Sequence, residues 1–383
     1  MRPLRIALLG GRGVPASYGG YETLTDELGR RLVERGFEVT VYCRSHYTDR
    51  RLTQHRGMHL VVLPTVKSKY LDTPLHTLLS VLHAASRPFD AALVVNSANA
   101  MFVPLLQANG IPTALNVDGI EKRRAKWDWP GRLVFALSER LATVVPDVLV
   151  TDARVIAEHY RRKYGVDSEM IPYGVDPTTQ PPGATLEELG LEPGRYFLYV
   201  SRFEPENNPH RVAEAYRQVG GELPLVMVGT APYADRFIRS FTAGADSRIV
   251  FPGAIYGRGY RELLCHALAY IQATEVGGTH PALVEAMGLG ASVVANDTPE
   301  NREVVGSCGR YFDVREPASL AAVLDETLRH PERARHDGQR AAERARERYS
   351  WERVTDSYDR LFRLLAERRQ YSGLKPRNHD IGL

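Results

Sequence analysis

The chain has 383 residues, of which 43% are hydrophobic and 25% charged, and its formal net charge at neutral pH is +3. This length exceeds one ordinary core, so about two domains are expected in a water-soluble globular protein. So small a net charge gives no indication of a nucleic-acid partner. Three widely separated cysteines, Cys43, Cys265 and Cys308, fit neither a metal nor a redox spacing and are expected in the core of a cytosolic protein.

The start of the chain also bears on location. Met-Arg-Pro-Leu-Arg leads directly into a short strand, without the apolar segment and cleavage site of a secretory signal. No stretch approaches the roughly 20 apolar residues of a bilayer-crossing helix. A cytoplasmic location is therefore expected.

The first half opens with a strand, a glycine-containing turn, a helix and a second strand. Residues 5–13 predict a buried strand ending in glycines, the helix extends to about Arg35, and the second strand covers 36–43. This order is typical of a Rossmann-like domain. The glycine spacing departs from the dinucleotide fingerprint, and Cys43-Arg44 stands where a ribose-binding acid would follow the second strand. A nicotinamide cofactor is therefore not expected.

Further strands are predicted at 59–64, 91–96 and 111–115, with a helix over 74–86. The polar run 96–99 fits either a pocket edge or the N-cap of the next helix.

Asp118 and Glu121 follow the strand at 111–115. Two carboxylates at the end of a core strand are a candidate acid/base or sugar-hydroxyl site. Asp118-Gly119 is equally good turn chemistry, so both interpretations stay open.

Residues 122–129, Lys-Arg-Arg-Ala-Lys-Trp-Asp-Trp, mix basic and aromatic side chains. A solvated helix face is the ordinary interpretation of such a run. The alternative is peripheral contact with a membrane surface that carries a pyrophosphate-linked lipid acceptor.

The division between the domains is predicted from the proline-rich, aperiodic stretch 173–183, which follows a strand at 148–151 and a helix at 153–164. The predicted N-terminal domain covers 1–172 and the C-terminal domain 184–350. Residues 351–369 predict an amphipathic helix that crosses back to the first domain, and 370–383 a mobile tail.

Arg202 comes directly after a predicted strand at 196–201. Such an arginine, pointing into the cleft between the domains, suits a diphosphate because guanidinium binds phosphate oxygens in pairs. An ion pair with Glu204 or Glu206 is the alternative. Further strands are predicted in the stretches 225–229, 248–256 and 292–295, and the stretch 296–303 is predicted to be a loop.

The stretch 267–290 combines an apolar strand, a turn containing Gly277 and Gly278, and a helix whose start holds Glu285 among apolar residues. At the carboxyl end of a parallel strand, backbone N–H groups approach phosphates and a carboxylate is available to sugar hydroxyls. A solvent-facing glutamate on a buried helix is the ordinary alternative.

Five blocks in order, at residues 10–22, 116–127, 171–176, 201–208 and 274–290, resemble the retaining glycosyltransferases of family 4, group 1. The resemblance implies a GT-B fold, in which two Rossmann-like domains face a cleft. It also implies that Glu285 holds the ribose of the donor nucleotide and that residues around Tyr256 bind the nucleobase.

The resemblance and the residue chemistry together assign candidate roles. The candidate catalytic residues are Asp118, Glu121, Arg202 and Glu275. The candidate donor-binding residues are Gly19, Gly20, Arg202, Asn207, Asn208, Tyr256, Gly277, Gly278, Thr279 and Glu285. The candidate acceptor-binding residues are Glu22, Lys122, Arg123 and Trp127.

Two positions depart from the family pattern. The first acid of the signature falls on Gly277 and is displaced to Glu275, and Asn207 replaces a lysine that many members carry. Both forms resemble a rhamnosyltransferase-like subgroup. That likeness implies dTDP-L-rhamnose as donor and a saccharide or lipid-linked saccharide as acceptor in cell-surface polysaccharide synthesis, with UDP- and GDP-sugars left open.

The sequence contains no Asp-x-Asp pair, so neither a metal clamp nor another cofactor is expected. Two competing interpretations stay open. A sugar-nucleotide epimerase would convert the donor without an acceptor, and an idle nucleotide-sugar-binding subunit would bind a ligand without turnover.

Overall fold

The computed structural model describes residues 2–16, 19–68, 70–117, 119, 129–231 and 234–371. The strands are Arg5–Leu9 (β1), Glu38–Arg44 (β2), Gln54–His55 (β3), Met58–Leu63 (β4), Ala91–Val95 (β5), Thr113–Val117 (β6), Val148–Thr151 (β7), Glu169–Met170 (β8), Phe197–Val200 (β9), Leu225–Val228 (β10), Ile249–Gly253 (β11), Ala269–Gln272 (β12), Ser292–Asn296 (β13) and Gly309–Phe312 (β14).

The α-helices are Gly20–Glu34 (α1), Asp72–Ala85 (α2), Val103–Ala108 (α3), Trp129–Leu141 (α4), Arg154–Tyr164 (α5), Ala184–Glu188 (α6), Pro209–Tyr216 (α7), Asp235–Thr242 (α8), Gly257–His266 (α9), Pro281–Gly288 (α10), Pro299–Val305 (α11), Pro317–Arg329 (α12), Pro331–Arg348 (α13) and Trp351–Tyr371 (α14). Two short 3-10 helices cover Ser97–Phe102 and Pro205–Asn207.

The first eight strands form one sheet in the order β3-β4-β2-β1-β5-β6-β7-β8. Its described pairs are parallel except β3 with β4, and Ile6 of β1 pairs with Val39 on one side and Ala91 on the other. Strands such as β5 and β6 are buried along their whole length. They are continuous apolar runs because helices cover both faces of a parallel sheet.

The remaining six strands form a parallel sheet in the order β11-β10-β9-β12-β13-β14. In both sheets the winding reverses beside the first strand, between β1 and β5 and between β9 and β12. Ligands of doubly wound domains collect outside the carboxyl ends of strands at such reversals.

Alternate side chains of β1 pack into two hydrophobic cores, one on each face of the first sheet. Ile6 and Leu8 pack with α1 and α14, whereas Ala7 and Leu9 pack with α2, α3 and α5. The last helix therefore returns to the first domain, where Tyr358 and Phe362 are fully buried.

The expectation of a loop over 296–303 is wrong, since α11 begins at Pro299. The Thr298 hydroxyl accepts a hydrogen bond from the Asn301 N–H, and proline occupies the first turn, which together start a helix that has little apolar periodicity. At Asn96 the side chain accepts from the Ala98 N–H and so caps the following 3-10 helix. Residues 372–383 of the predicted tail lie outside the described residues.

Candidate active site

A cavity of about 420 Å³ lies between the two domains, outside the carboxyl ends of β9 and β12. The N-terminal domain contributes Gly19, Gly20 and the side of α1 that bears Thr23, Asp26 and Glu27. The C-terminal domain contributes residues that follow β9, β11 and β12, with parts of α9 and α10. A concave, preformed site with a few converging polar groups is the usual form of a small-molecule site.

A chain of polar side chains forms part of the cavity wall along β12. Tyr270, Gln272 and Thr274 point to the same side because side chains alternate along a strand. The Tyr270 hydroxyl donates to the Gln272 Oε1 at 2.9 Å, and the Gln272 Nε2 donates to the Thr274 Oγ1 at 2.6 Å. The Thr274 Oγ1 also lies 3.0 Å from the His280 Nε2, so this wall is held in one arrangement.

Two arginines bring positive charge to the cavity. Arg202 follows β9, and its Nη1 lies 3.5 Å from the Glu204 Oε2, so the residue is both a cavity group and an ion-pair partner. Arg261 on α9 donates from Nη2 to the carbonyls of Asp176 and Thr178, at 3.1 and 2.6 Å. Arg261 therefore ties α9 to the segment that joins the two domains.

Glu285 lines the cavity from α10, and the Tyr260 hydroxyl donates to its Oε2 at 2.5 Å. Burial raises the pKa of Glu285 to about 7, against the hydrogen bond from Tyr260, which lowers it. Burial also raises the pKa of Tyr260 well above its ordinary value, so the phenol stays protonated and acts as the donor.

The N-terminal side of the cavity is acidic. The Asp26 carboxylate accepts from the Ala16 N–H at 3.0 Å and lies 3.1 Å from both the His55 Nε2 and the Arg56 Nη1. Burial acts to raise the pKa of Glu27, but hydrogen bonds from Arg31 and Arg56 outweigh it and hold the value at about 2. Glu27 is therefore ionised at neutral pH beside a site lined by the arginines of the other domain.

Seven of the predicted site residues line this one cavity: Gly19, Gly20, Arg202, Asn207, Tyr256, Thr279 and Glu285. Asn207 also holds the loop after β9, since its Nδ2 donates to the Arg202 carbonyl at 2.7 Å. Its own carbonyl accepts from the Tyr199 hydroxyl at 2.6 Å.

Within the described part of the chain, five predicted residues are not part of the cavity wall. Glu22 accepts from the Arg12 N–H at 3.0 Å beneath the first glycine turn. The Asn208 Nδ2 donates to the Ala273 carbonyl at 2.9 Å and to the Glu275 Oε2 at 3.3 Å. Glu275 is otherwise solvent-exposed, with its Oε1 3.6 Å from the Arg315 Nε.

Gly277 and Gly278, the other two, lie where the domains meet. A β-carbon on Gly119 would come within 2.6 Å of the Gly277 Cα, and one on Gly278 within 2.0 Å of the Asp152 Oδ1. Asp152, at the end of β7, accepts from the Thr279 N–H at 2.9 Å, while its carbonyl accepts from the Thr279 hydroxyl at 2.6 Å. Only glycine permits so close an approach of the two backbones.

The remaining predictions, Asp118, Glu121, Lys122, Arg123 and Trp127, lie outside the described residues. Their assignments stay predictions.

Sequence reasoning missed Tyr260, Arg261, Asp152 and the β12 wall. Tyr260 is four residues after Tyr256, which places both on one side of the start of α9. The β12 wall was signalled by polar side chains at every second position of a buried strand. Asp152 has no local signal, because its partner Thr279 is 127 residues away.

Two family models match almost consecutive parts of the chain. Glycosyltransferase Family 4 matches residues 18–179, and Glycosyl transferases group 1 matches residues 186–345. The chain belongs to the group 1 glycosyltransferases. It is thus a transferase, and the predicted GT-B arrangement of two Rossmann-like domains is confirmed by the sheets and by the folds of similar structures.

Relatives are similar over nearly their whole lengths. The alpha-maltose-1-phosphate synthase of Mycolicibacterium smegmatis is 23% identical, over 95% of this chain and 100% of the relative. The O-antigen chain mannosyltransferase C of Escherichia coli is 21% identical, over 92% of this chain and 96% of that enzyme.

Among solved structures, sucrose-phosphate synthase from Thermosynechococcus elongatus has a TM-score of 0.78 and 19% identity, covering 95% of this chain and 100% of that one. Anabaena HepE, solved in complex with UDP and glucose, has a TM-score of 0.77 and 15% identity, covering 94% and 100%. At sequence identities this low, the structural similarity shows a shared fold alone.

Proposed function

We propose that this transferase moves L-rhamnose from dTDP-L-rhamnose to a saccharide or lipid-linked saccharide acceptor, with retention of configuration and without a metal ion, in the synthesis of a cell-surface polysaccharide. The subgroup resemblance of the stretches around Arg202 and Glu275 supports the sugar. The hydrogen bond between Tyr260 and Glu285 supports a deoxyribose in the donor nucleotide.

The hydrogen bond between Tyr260 and Glu285 is the observation that favours a deoxynucleotide. Because the Glu285 Oε2 already accepts from the Tyr260 phenol at 2.5 Å, Oε1 is the carboxylate oxygen that keeps its full acceptor capacity for the donor. One oxygen suits the single 3′-hydroxyl of a deoxyribose better than the vicinal pair of a ribose. Val228, Ala254 and Ile255 add an apolar lining that suits the methyl group of thymine.

Arg202 and the Gly19-Gly20 turn suit the diphosphate. When the bond between the sugar and the diphosphate breaks, negative charge develops on the β-phosphate, and preorganised donors stabilise it. In the proposed retaining step, the acceptor hydroxyl attacks from the face that the phosphate leaves. The new glycosidic bond replaces the bond to phosphate, and the departing phosphate takes the hydroxyl proton, so no separate protein base is needed.

The acidic side of α1 supports a saccharide acceptor. Asp26 and Glu27 line the cavity opposite the C-terminal domain. Ionised carboxylates are good acceptors for sugar hydroxyls.

The decisive experiment is calorimetric binding of UDP, dUDP and dTDP in the presence of EDTA. UDP and dUDP differ in the 2′-hydroxyl, while dUDP and dTDP differ in the methyl group. We expect dTDP to bind most tightly and dUDP to bind about tenfold more tightly than UDP, since one poorly accommodated hydroxyl costs about 1.4 kcal/mol. Turnover of dTDP-L-rhamnose against saccharide acceptors then tests the sugar.

Tyr260→Phe should reduce the difference in affinity between dUDP and UDP, because the variant no longer donates a hydrogen bond to the Glu285 Oε2. Tyr256→Phe, which changes another phenol of the cavity wall, is the matched control and should leave that ratio unchanged. UDP is the principal competitor, as the HepE complexes contain UDP. If UDP binds more tightly than dUDP to the unaltered protein, the deoxynucleotide proposal fails while the transferase assignment stands.

A further inference from the structure

Exposed large apolar side chains are concentrated on one side of the N-terminal domain. Of the fourteen in the described part of the chain, twelve lie within residues 66–144. On α4, Trp129, Leu133 and Leu137 are spaced by four residues and are 77%, 64% and 60% exposed. Four-residue spacing places them along one side of the helix. Along this side, the described side chains of Trp129, Leu133 and Leu137 present apolar surface to solvent, unlike the polar face of an ordinary solvated helix.

Eight of these twelve side chains lie on helices that pack against one another. The 3-10 helix Ser97–Phe102 packs against both α2 and α4, and α2 packs against α3. Met101 and Leu105, between α2 and α4, are 57% and 38% exposed. Here this surface of α2, Ser97–Phe102, α3 and α4 is called the apolar face. Exposed patches of this kind mark interaction sites.

The apolar face adjoins the opening of the active site. Its elements follow β4, β5 and β6, so they begin at the carboxyl edge of the first sheet. The cavity lies at the same edge, because the Gly19-Gly20 turn follows the parallel strand β1.

The charges around the apolar face are segregated. The acidic side chains that the structure describes within 66–144, Asp72, Asp90 and Glu139, are only 14%, 5% and 6% exposed and are ion-paired. By contrast Lys67, Arg87 and Arg140 are exposed. An apolar surface with a positive rim complements an anionic bilayer, whereas two copies of it would repel each other.

We infer that the apolar face docks on an anionic lipid bilayer and holds the cavity opening at the headgroup level. Leucine and tryptophan side chains would enter the boundary between headgroups and acyl chains, while the basic side chains contact lipid phosphates. This inference rests on the proposed function only in that a lipid-linked saccharide would be delivered to the cavity from the same membrane.

The test is co-sedimentation of the full chain with vesicles of phosphatidylcholine alone and of phosphatidylcholine mixed with phosphatidylglycerol. The unaltered protein should sediment with the mixed vesicles and much less with the neutral ones, and added salt should weaken the binding. The double variant Leu133→Glu/Leu137→Glu should bind at least tenfold more weakly. Both leucines are exposed, so the variant should fold.

Leu364→Glu is the matched control. Leu364 is 43% exposed on α14, whose buried residues pack on the opposite face of the first sheet, so this variant should bind vesicles like the unaltered protein. Binding of dTDP by the double variant at unaltered affinity would show that its donor site is intact.

Three results would overturn the inference. They are equal sedimentation of the double variant and the unaltered protein, absence of binding to mixed vesicles, and a dimer in light scattering that the double variant abolishes. The last would assign the face to a contact between copies. None of these results bears on the donor, which the nucleotide titrations test separately.

Discussion

Two residues after the end of β9, Arg202 lines the cavity and is held by an acidic partner. Its side chain is 29% exposed, and Glu204 lies at ion-pair distance. An arginine held in this way is preorganised for a phosphate, since little reorientation is needed when the ligand binds.

Arg202→Ala should therefore lower kcat by about 100- to 1000-fold, the usual cost of removing one donor to a developing negative charge. The melting temperature should change little, because the removed group is part-exposed. Arg258→Ala, an exposed arginine on α9, is the control and should retain activity. Near-normal turnover of Arg202→Ala would refute the diphosphate assignment.

Glu285 should make nucleotide binding depend on pH near neutrality. Its pKa is raised to about 7, and only the ionised carboxylate is a full acceptor for a sugar hydroxyl. The affinity for dTDP should rise as pH increases through about 7. Because the Tyr260 hydrogen bond lowers the pKa of Glu285, Tyr260→Phe should move this transition to higher pH. Calorimetry across this range measures both effects, and a flat profile would contradict them.

The same carboxyl group should oppose folding at high pH. A group whose pKa rises from 4.5 to about 7 on folding binds more protons in the folded state between these values. Its contribution to the free energy of unfolding is therefore fully present below pH 4.5 and is lost as pH rises through 7.

Accordingly, the melting temperature of Glu285→Gln should increase relative to that of the unaltered protein as pH rises from about 5 to about 8. The variant should also bind dTDP more weakly. Paired melting curves measure the difference. A constant difference across this range would show that Glu285 does not titrate there.

At the scale of elements, a side chain from one domain caps a helix of the other. The Glu303 carboxylate on α11 accepts from the N–H groups of Arg154 and Val155, at 2.8 and 3.0 Å. These are the first residues of α5, which otherwise lacks a side-chain cap. The contact therefore both stabilises α5 and joins the domains beside Asp152.

Glu303→Ala should lower the free energy of unfolding by about 1 kcal/mol, which is typical of a lost N-cap. Chemical denaturation measures this change. Glu343→Ala, which removes an exposed glutamate from α13, should have almost no effect and controls for loss of charge. Equal stability of the two variants would mean that water replaces the cap without cost.

The elements differ in how far the sequence predicts them. Strands such as β7, which is the apolar run Val148–Thr151, are continuous and bounded by polar residues, so their positions are predictable. α11 has the sequence Pro-Glu-Asn-Arg-Glu-Val-Val, with apolar residues only at its end. Its start depends on the Thr298 cap, a local signal that periodicity does not contain.

At the scale of the whole molecule, the sequence likewise predicts some residues of the site and not others. Arg202 follows the predictable strand β9, and Glu285 lies on the helix that follows β12, so motif and topology place them together in advance. Tyr260 and Asp152 depend on the packing of α9 against α10 and of one domain against the other. No local pattern encodes such long-range contacts, and the displaced acid Glu275 shows that motif spacing alone does not place a side chain in the cavity.

The two domains approach each other so closely at Gly119 and Gly277 that residue 119 has no room for a side chain. A β-carbon at residue 119 would lie 2.6 Å from the Gly277 Cα and 2.9 Å from its carbonyl carbon. Ordinary carbon contacts are about 3.5 to 4.0 Å, and no flexible side chain is available to move. Gly119→Ala must therefore shift the two backbones apart by about 1 Å at this point.

Such a shift should lower kcat substantially, since a misplacement of about 1 Å between reacting groups costs up to about 100-fold. The affinity for dTDP should change less, because Arg202, Tyr260 and Glu285 all belong to the C-terminal domain and only the Gly19-Gly20 turn belongs to the other. The melting temperature should stay close to that of the unaltered protein, since both cores remain intact. Gly220→Ala is the control, because its β-carbon would make an ordinary 3.5 Å contact with the Asp325 Oδ1. Unchanged turnover in Gly119→Ala would show that catalysis does not require this close contact, whereas an equal loss of dTDP affinity would mean that donor binding depends on the Gly19-Gly20 turn as much as on the C-terminal domain.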